Sequence, residues 1–106
     1  MTHEFPITRL GSHHNKEYFD CGNVALNNYL KCYAKQDIKK HLASVYVAAD
    51  DDNNVVGYYT LSASALPRIE LPHMLVKHIS YAYVPVMLIG RLAVDKRFHG
   101  KNWVAN

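Results

Sequence analysis

One run of apolar and branched residues, at positions 84–94, constrains the fold of this chain more than any other stretch. It is long enough for a strand, and its apolar residues do not alternate strictly with polar ones, so it predicts a strand that is buried on both faces. A short basic loop with one glycine, residues 95–101, follows directly. A buried strand that leads into such a loop indicates an anion site, provided that a helix begins after the loop and directs its N-terminal amides at the ligand.

The strand and loop resemble the acetyl-CoA strand and pyrophosphate loop of the GNAT acetyltransferase superfamily. The resemblance is carried by two segments, Arg91-Leu92-Ala93-Val94-Asp95 and Arg97-Phe98-His99-Gly100-Lys101. It narrows to the toxins of type II toxin–antitoxin systems because two further segments are similar to that branch, Phe19-Asp20-Cys21-Gly22-Asn23 with Leu26, Tyr29 and Leu30 behind it, and Gly57-Tyr58-Tyr59-Thr60-Leu61.

The fold that this resemblance implies is α+β, with residues 1–106 forming a single truncated GNAT domain. It comprises the N-terminal two-thirds of the GNAT fold: a mixed, mostly antiparallel sheet with one or two N-terminal helices. The C-terminal third of the fold is missing.

The resemblance also implies a function, transfer of acetyl from acetyl-CoA to the amino group of aminoacyl-tRNA, with a ribbon-helix-helix antitoxin as partner. In GNAT enzymes the pantetheine arm of the cofactor pairs with an open strand edge, and the pyrophosphate binds loop amides. Carried over residue by residue, the cofactor contacts fall on Leu92, Ala93, Val94, Arg97, His99, Gly100, Lys101 and Asn102. No catalytic residue is assigned, because the tyrosine acid of these toxins follows the pyrophosphate helix.

The likeness to the family stops inside the pyrophosphate loop. The family pattern there is Gln/Arg-x-x-Gly-x-Gly/Ala before a long helix, and this chain departs from it at His99, Asn102 and Val104. The few residues after Asn102 are too short for a helix dipole. We therefore expect a truncated toxin. Loss of one base from an A-rich run at Lys101 and Asn102 would account for it, because restoring one A shifts the reading to Lys-Lys-Leu-Gly.

Two classes of function stay open from the sequence. One is the acetyltransferase, crippled by truncation, and the other is a catalytically inactive remnant that binds the antitoxin or itself. An unpaired apolar strand edge favours association, so we expect a homo-oligomer or an antitoxin that covers this edge. A basic surface that binds tRNA without chemistry is a weaker third possibility.

Composition limits the remaining classes. The net charge of +3 permits an anionic partner without requiring one. Two cysteines and no signal peptide indicate a reducing cytoplasm, with neither a disulfide nor a metal framework. No apolar run approaches the roughly 20 residues of a membrane helix, so no membrane association is expected.

The first half of the chain predicts a strand and then a helix. Residues 5–10 indicate a short strand, Asn23 is a candidate N-cap, and residues 24–40 have apolar residues at helical spacing, which fits one helix or two short ones. Four lysines lie along the later turns, and they form either a solvated face or a set of phosphate contacts to tRNA: Lys31, Lys35, Lys39 and Lys40.

The second half predicts a hairpin, an irregular connection and the central strand. The hairpin strands are 44–49 and 55–64, and the strand at 80–94 carries Pro85 near its start, at a tolerated end or a bulge. The acidic turn at 50–54 fails as a calcium loop, because Val55 and Leu61 occupy the glycine and glutamate positions of an EF-hand. The histidine spacing gives no metal site. Four tyrosines are proton-donor candidates, although the sheet core is the more common place for them: Tyr58, Tyr59, Tyr81 and Tyr83.

Overall fold

The computed structural model describes residues 2–78, 80, 82–99 and 102–105. Its strands are β1 (Thr2–Phe5), β2 (Ile7–Arg9), β3 (Ser44–Ala49), β4 (Val55–Pro67), β5 (Tyr83–Val94) and β6 (Asn102–Ala105). Its α-helices are α1 (Val24–Asn28), α2 (Ala34–Lys39) and the short α3 (His73–Val76). A π-helical turn, Tyr29–Tyr33, joins α1 to α2, and 3-10 turns occupy Arg68–Glu70 and Lys96–Phe98.

Four strands form an antiparallel sheet in the order β2-β3-β4-β5, with the α1–α2 segment packed on one face. β1 and β6 form a separate parallel pair. This arrangement confirms the expected α+β fold with a mostly antiparallel sheet and N-terminal helices. Within the described ranges, no helix is both long and apolar enough to cross a membrane.

The N-terminal strand differs from the prediction. The sequence predicted one strand over residues 5–10, whereas β1 and β2 are two strands that belong to different sheets. Pro6 lies between them and has no N–H for a ladder bond, so the chain changes partner at that residue. The ring of Phe5 then packs edge-on against Phe98, with 5.5 Å between the ring centroids, which joins the N-terminus to the loop after β5.

The predicted N-cap is confirmed. The Asn23 side chain accepts a hydrogen bond from the Leu26 N–H at 3.2 Å, and this satisfies one of the amides that a helix start leaves free. The π-helical turn begins one turn later, where the Ala34 N–H donates to the Tyr29 carbonyl five residues back. Such turns shift the register of a helix face and occur often at functional sites.

The core lies between this helical segment and the inner face of β3, β4 and β5. Leu30 and Ala34 are fully buried there against side chains from the sheet, and Phe19 packs edge-on against Tyr58. The apolar residues at helical spacing on one side, and at alternate strand positions on the other, therefore meet as binary patterning requires.

The hairpin prediction is also confirmed, with β4 running three residues beyond its predicted end at Ser64. The turn is organised by the Asp50 carboxylate, whose Oδ1 accepts hydrogen bonds from the Asp52 and Asn54 amides at 3.0 and 2.9 Å. Asn53 adopts a left-handed φ of 64°, which asparagine tolerates better than most residues. The Asp50 carboxylate thus serves the turn itself.

The prediction that the central strand is buried on both faces is wrong. β5 is the last strand of the four-stranded sheet, and several of its apolar side chains are largely exposed, with Met87 at 62%, Ile89 at 63% and Leu92 at 66%. The apolar pattern of the sequence could not show this exposure. An edge strand that a partner covers can have the same apolar run as a central strand.

The irregular point of β5 is Gly90 rather than Pro85. Thr60 pairs with Arg91 and Leu61 with Ile89, so Gly90 is an extra residue in the ladder, whereas Pro85 pairs regularly with Ala65. A Cβ on Gly90 would lie 3.1 Å from the Thr60 Oγ1. That hydroxyl oxygen accepts the Arg91 N–H at 3.0 Å and so replaces the missing ladder bond.

A buried carboxylate ties the end of β5 to the helix entrance. Asp95 is 1% exposed, and its two oxygens accept the Asp20 amide at 3.1 Å and the Arg97 amide and Nε–H at 3.0 and 2.9 Å. The Asp20 carboxylate in turn accepts the Gly22 amide and the Asn27 side chain, and it forms an ion pair with Lys96 at 3.1 Å. The segment around Asp20 and the segment that ends β5 both carry the family resemblance, and these contacts bind them to each other.

The pKa values of both carboxyl groups are lowered. For Asp95, burial alone would raise the pKa, but the hydrogen bonds from the Arg97 side chain, the Arg97 amide and the Asp20 amide outweigh it and hold the pKa below 3.8. For Asp20, the Gly22 amide lowers the pKa most, followed by Asn27 and Lys96. Both groups are therefore carboxylates at neutral pH.

Because Leu30 is buried, we expect its truncation to destabilise the fold, whereas truncation of an exposed leucine should not. We expect Leu30→Ala to lower the free energy of unfolding by about 3 kcal/mol, because it removes a fully buried side chain and leaves a cavity. Leu42→Ala is the matched control, since Leu42 is 62% exposed. Urea unfolding followed by circular dichroism measures both, and equal losses would contradict this description of the core.

The Asp95 network predicts a pH dependence. We expect Asp95→Asn to lower the free energy of unfolding by about 2 kcal/mol near neutral pH, because an amide cannot accept all of these bonds. Since the folded-state pKa lies below 3.8, the wild-type contribution is complete above that pH and is lost as the pH falls through the folded value. The difference between the two proteins should therefore shrink in acid. Asp51→Asn, in the exposed turn, is the control, and a pH-independent difference for Asp95→Asn would contradict the assignment.

Candidate functional site

The outer edge of β5 near its C-terminal end is the candidate cofactor site. The Asp95 amide donates to the Val56 carbonyl of β4 at 2.8 Å. Because backbone groups alternate along a strand, the N–H and C=O of Ala93 also point to β4, and those of Leu92 and Val94 point away from it. Among the described residues β5 pairs with β4 alone, so the Leu92 and Val94 groups lie on an open edge.

Side chains on this segment alternate in the same way. Ala93 is buried and packs in the core beneath the helical segment, whereas Leu92 is 66% exposed on the opposite face. That opposite face also carries the stacked rings of Tyr46 and Tyr59, with 5.2 Å between their centroids. An extended ligand at this edge would therefore meet backbone groups from Leu92 and Val94, whereas Ala93, also a predicted cofactor contact, directs its side chain to the core.

The Val94 carbonyl is already used by the chain itself. His99 Nε2 lies 2.7 Å from this oxygen. A carbonyl only accepts hydrogen bonds, so the Nε2 atom carries the proton and donates it. The loop after β5 thus folds back on the strand end, and the imidazole occupies one of the two outward acceptors of the edge.

Arg97 is not a free cation in this structure. Its guanidinium donates to both oxygens of Asp95, at 2.9 and 3.3 Å, and it lies 5.6 Å from the centroid of the Phe98 ring. The sequence placed Arg97 among the cofactor contacts as a source of charge. Its first role in the fold is to neutralise Asp95, with a side chain that remains 57% exposed.

The other predicted contacts are divided between the loop and the helix. Gly100 and Lys101 lie outside the described residues, and Asn102 begins β6, which pairs in parallel with β1. The four lysines of the helical segment are all exposed, and Lys35 also lines a cleft with Lys16 and His14. In the described part of the chain, no cluster of His, Cys, Asp or Glu could hold a metal ion, and Cys21 and Cys32 are free thiols.

A second group of side chains lies where β5 faces the π-helical turn. The Arg91 guanidinium lies over the Tyr29 ring, with 3.7 Å between Cζ and the ring centroid. The Tyr29 hydroxyl donates to Asp37 Oδ2 at 2.8 Å. Tyr58 lies next to Tyr29, with 6.2 Å between ring centroids, and its hydroxyl donates to the Leu26 carbonyl at 2.7 Å.

Burial keeps both of these phenols protonated. It raises the pKa of Tyr29 to about 12, the hydrogen bond to Asp37 adds to the increase, and Arg91 opposes it. Burial likewise raises the pKa of Tyr58 to about 12, again against Arg91. At neutral pH the two hydroxyls are therefore hydrogen-bond donors and not bases. Of the other tyrosine candidates, Tyr83 is exposed and Tyr81 lies outside the described residues.

The sequence pointed to only some of the residues in this second group. Arg91 and Tyr29 belong to the segments that resemble the family, but nothing in their spacing predicts that they touch. Asp37 gave no signal at all, because an acidic residue in a lysine-rich helix is common on a solvated face. The bulge at Gly90 sets where the strand resumes its pairing at Arg91, and a bulge is not visible in an apolar run.

Comparison with known proteins supports the family resemblance. The chain is 26% identical over 89 residues to a probable TacT toxin of Sinorhizobium fredii, over 82% of this chain and 49% of that protein. The structure matches AtaT complexed with acetyl-methionyl-tRNAfMet with a TM-score of 0.80 and 31% identity, over 89% of this chain and 58% of AtaT. It matches a KacT mutant with a TM-score of 0.76 and 35% identity, over 89% of this chain and 58% of KacT.

Other solved structures of these relatives include a complex of AtaTR with AcCoA, AtaT bound to the C-terminus of the antitoxin AtaR, and a KacTA–DNA complex. No protein-family profile matches the chain. The chain spans about half the length of the curated relative and just over half of the two solved ones. Sequence and structure agree over that shared part, in which the chain is homologous to the toxins TacT, AtaT and KacT.

Proposed function

We propose that this chain acts as a GNAT acetyltransferase toxin, which transfers the acetyl group of acetyl-CoA to the amino group of an aminoacyl-tRNA and thereby blocks translation. The observation that carries the proposal is the open edge of β5, where Leu92 presents its N–H and C=O away from β4. The relatives add support, because AtaT has been solved with acetyl-methionyl-tRNAfMet and AtaTR with AcCoA. The reaction would take place in the cytoplasm, where charged tRNA is found.

The residues at this edge fit the pantetheine arm of acetyl-CoA. A strand edge with outward N–H and C=O groups binds an extended amide-containing chain as it would bind another strand. Leu92 and Val94 would supply these bonds, and Ala93 would anchor the strand between them in the core. For the phosphates, the proposed contacts remain the backbone N–H groups of His99, Gly100 and Asn102, with charge added by Arg97 and Lys101. When bound, acetyl-CoA supplies a thioester carbonyl, to which the amine forms a C–N bond as the C–S bond breaks.

Phosphate contacts from the helical segment would hold the tRNA. Its four exposed lysines have the charge that the RNA backbone requires, and such contacts weaken steeply with salt. The sugar–phosphate backbone would thus position the tRNA, while the chemistry takes place at β5. The structure of AtaT bound to the C-terminus of the antitoxin AtaR supports an antitoxin as partner. We propose that this antitoxin is of the ribbon-helix-helix type and inhibits the chain.

A protein-interaction role is the second candidate, and the exposed apolar side chains of β5 favour it. Met87, Ile89 and Leu92 are each more than 60% exposed. An edge strand of this kind is a template for pairing with another chain, either an antitoxin segment or a second copy in a homo-oligomer. This role needs neither the cofactor nor the tRNA.

Calorimetry with acetyl-CoA distinguishes the two candidates. We expect heat and micromolar affinity for the chain, and transfer of labelled acetyl to aminoacyl-tRNA but not to uncharged tRNA. The opposite outcome is no heat at millimolar acetyl-CoA and no label in the RNA. It would contradict the acetyltransferase function and leave the protein-interaction role as the remaining candidate.

The contact between His99 and Val94 predicts the direction of one mutation. We expect His99→Ala to tighten acetyl-CoA binding by about three- to tenfold, because it frees the Val94 carbonyl for the cofactor at the cost of one internal hydrogen bond. His78→Ala, at an exposed position, is the matched control. Calorimetric affinities measure the effect, and weaker binding by His99→Ala would show instead that the imidazole itself contacts the cofactor.

A further inference from the structure

A cleft of about 390 Å³ separates the π-helical turn from β5, on the face of the sheet opposite Leu92. It is lined by Ala25, Leu26, Tyr29, Tyr33, Asp37 and Arg91. Its two charged residues are of opposite sign and come from different elements. We name this set of six residues the helix-side cleft.

Arg91 is held in the cleft without an ionic partner. Its Cζ lies 3.7 Å from the Tyr29 ring centroid, and this cation–π contact holds the guanidinium on the ring. Within the described ranges it forms no ion pair, in contrast to Arg97, whose charge is matched by Asp95. A guanidinium that is fixed on a ring and keeps its N–H groups available is suited to bidentate contact with a phosphate.

Asp37 lies at the other end of the same ring. Its Oδ2 accepts the Tyr29 hydroxyl at 2.8 Å, and no described residue donates to its Oδ1. The phenol stays protonated, since burial raises its pKa to about 12, so it orients the carboxylate without adding charge. An oriented carboxylate with one free oxygen accepts hydrogen bonds from an amine.

Tyr33 provides an aromatic ring at the rim of the cleft. It is 57% exposed, although its neighbours Leu30 and Ala34 on the helical segment are fully buried. Exposed aromatic rings beside a basic group commonly stack on the bases of single-stranded RNA. The cleft therefore offers contacts for an amine, a phosphate and a base within a short span.

We propose that the helix-side cleft binds the 3′-terminal aminoacyl-nucleotide of the substrate, with the Asp37 carboxylate accepting the α-amino group, Arg91 binding the terminal phosphate and Tyr33 stacking on the base. The inference rests on the proposed function for the identity of the substrate. It adds the part of that substrate that this chain recognises and the residues that recognise it. All three are positioning and specificity residues here, since they hold the substrate in place.

The location of Arg91 supports this assignment. It directly precedes Leu92, whose backbone groups form the open edge, and its own amide is fixed by the Thr60 hydroxyl at 3.0 Å. Because successive side chains of a strand point to opposite faces, the Arg91 side chain is directed to the helix side. A substrate bound by Arg91 is thus adjacent to the proposed cofactor edge without occupying it.

The test uses a probe that binds but cannot deacylate, 3′-methionylamino-3′-deoxyadenosine 5′-monophosphate, titrated calorimetrically into the chain without acetyl-CoA. Two derivatives are compared with it, one with an acetylated amine and one without the phosphate. We expect the wild type to bind the free-amine, phosphorylated probe about tenfold more tightly than either derivative.

The variants then assign each preference to one residue. Asp37→Asn keeps an acceptor for the Tyr29 hydroxyl and should abolish the preference for the free amine alone. Arg91→Gln should abolish the preference for the phosphate alone. The matched controls are Asp51→Asn, in the exposed turn, and Arg9→Gln, since Arg9 lies over the Tyr46 ring at 5.9 Å on a distant strand. Thermal unfolding confirms that each variant folds.

The outcomes separate this inference from the proposed function. Preferences that disappear residue by residue support the cleft even if no acetyl transfer is detected, in which case the proposed function fails alone. Preferences that persist in Asp37→Asn and Arg91→Gln, or a wild type that does not bind the probe at millimolar concentration, overturn the cleft even if acetyl transfer to tRNA is observed.

Discussion

The buried carboxylate of Asp95 is the interaction on which the rest of the site depends. It lies where β5 ends and accepts amides both from its own turn and from Asp20, which precedes the helical segment by a few residues. A buried charge of this kind is tolerated only when it is fully hydrogen-bonded, so the strand end, the helix entrance and Arg97 must be in place together. Their relative position fixes the width of the gap between β5 and the π-helical turn.

Two local irregularities then give that gap its chemistry. The bulge at Gly90 transfers the Arg91 amide to the Thr60 hydroxyl, and the π-helical turn begins at Tyr29, the residue that meets Arg91. A side chain supports the backbone at each irregularity. The Thr60 hydroxyl accepts the Arg91 amide in the sheet, and the Tyr58 hydroxyl donates to the Leu26 carbonyl just before the π-helical turn. Irregular backbone supported in this way is typical of places where a protein directs side chains at a ligand.

The sequence predicted those parts of the fold that local chemistry determines. Asn23 is a cap because its side chain reaches an amide three residues on, and the hairpin turn follows from Asp50 and Asn53, which stabilise turns whatever surrounds them. The exposure of β5 depends instead on which strand lies beside it, and the pairing of Arg97 with Asp95 depends on how the loop closes. The contact between Arg91 and Tyr29 depends on a strand bulge and a helix register together. Neither the exposure of β5 nor the contact between Arg91 and Tyr29 has a signature within a few neighbouring residues, whereas Asp95 and Arg97 are only two residues apart.

The geometry of β5 also separates two kinds of binding. A cofactor arm and a second β-strand would both need the outward N–H and C=O groups of Leu92 and Val94, so they compete for one edge. The His99 imidazole already takes part of that edge, and it does so with a single hydrogen bond that either competitor can replace. The helix-side cleft takes only the Arg91 side chain from β5, on the helix-facing side of the strand, and its other residues come from the helical segment. It therefore stays accessible while the edge is occupied. The proposed aminoacyl-nucleotide on the face and the proposed cofactor arm on the edge would therefore not exclude each other, and direct transfer between two bound molecules requires such an arrangement.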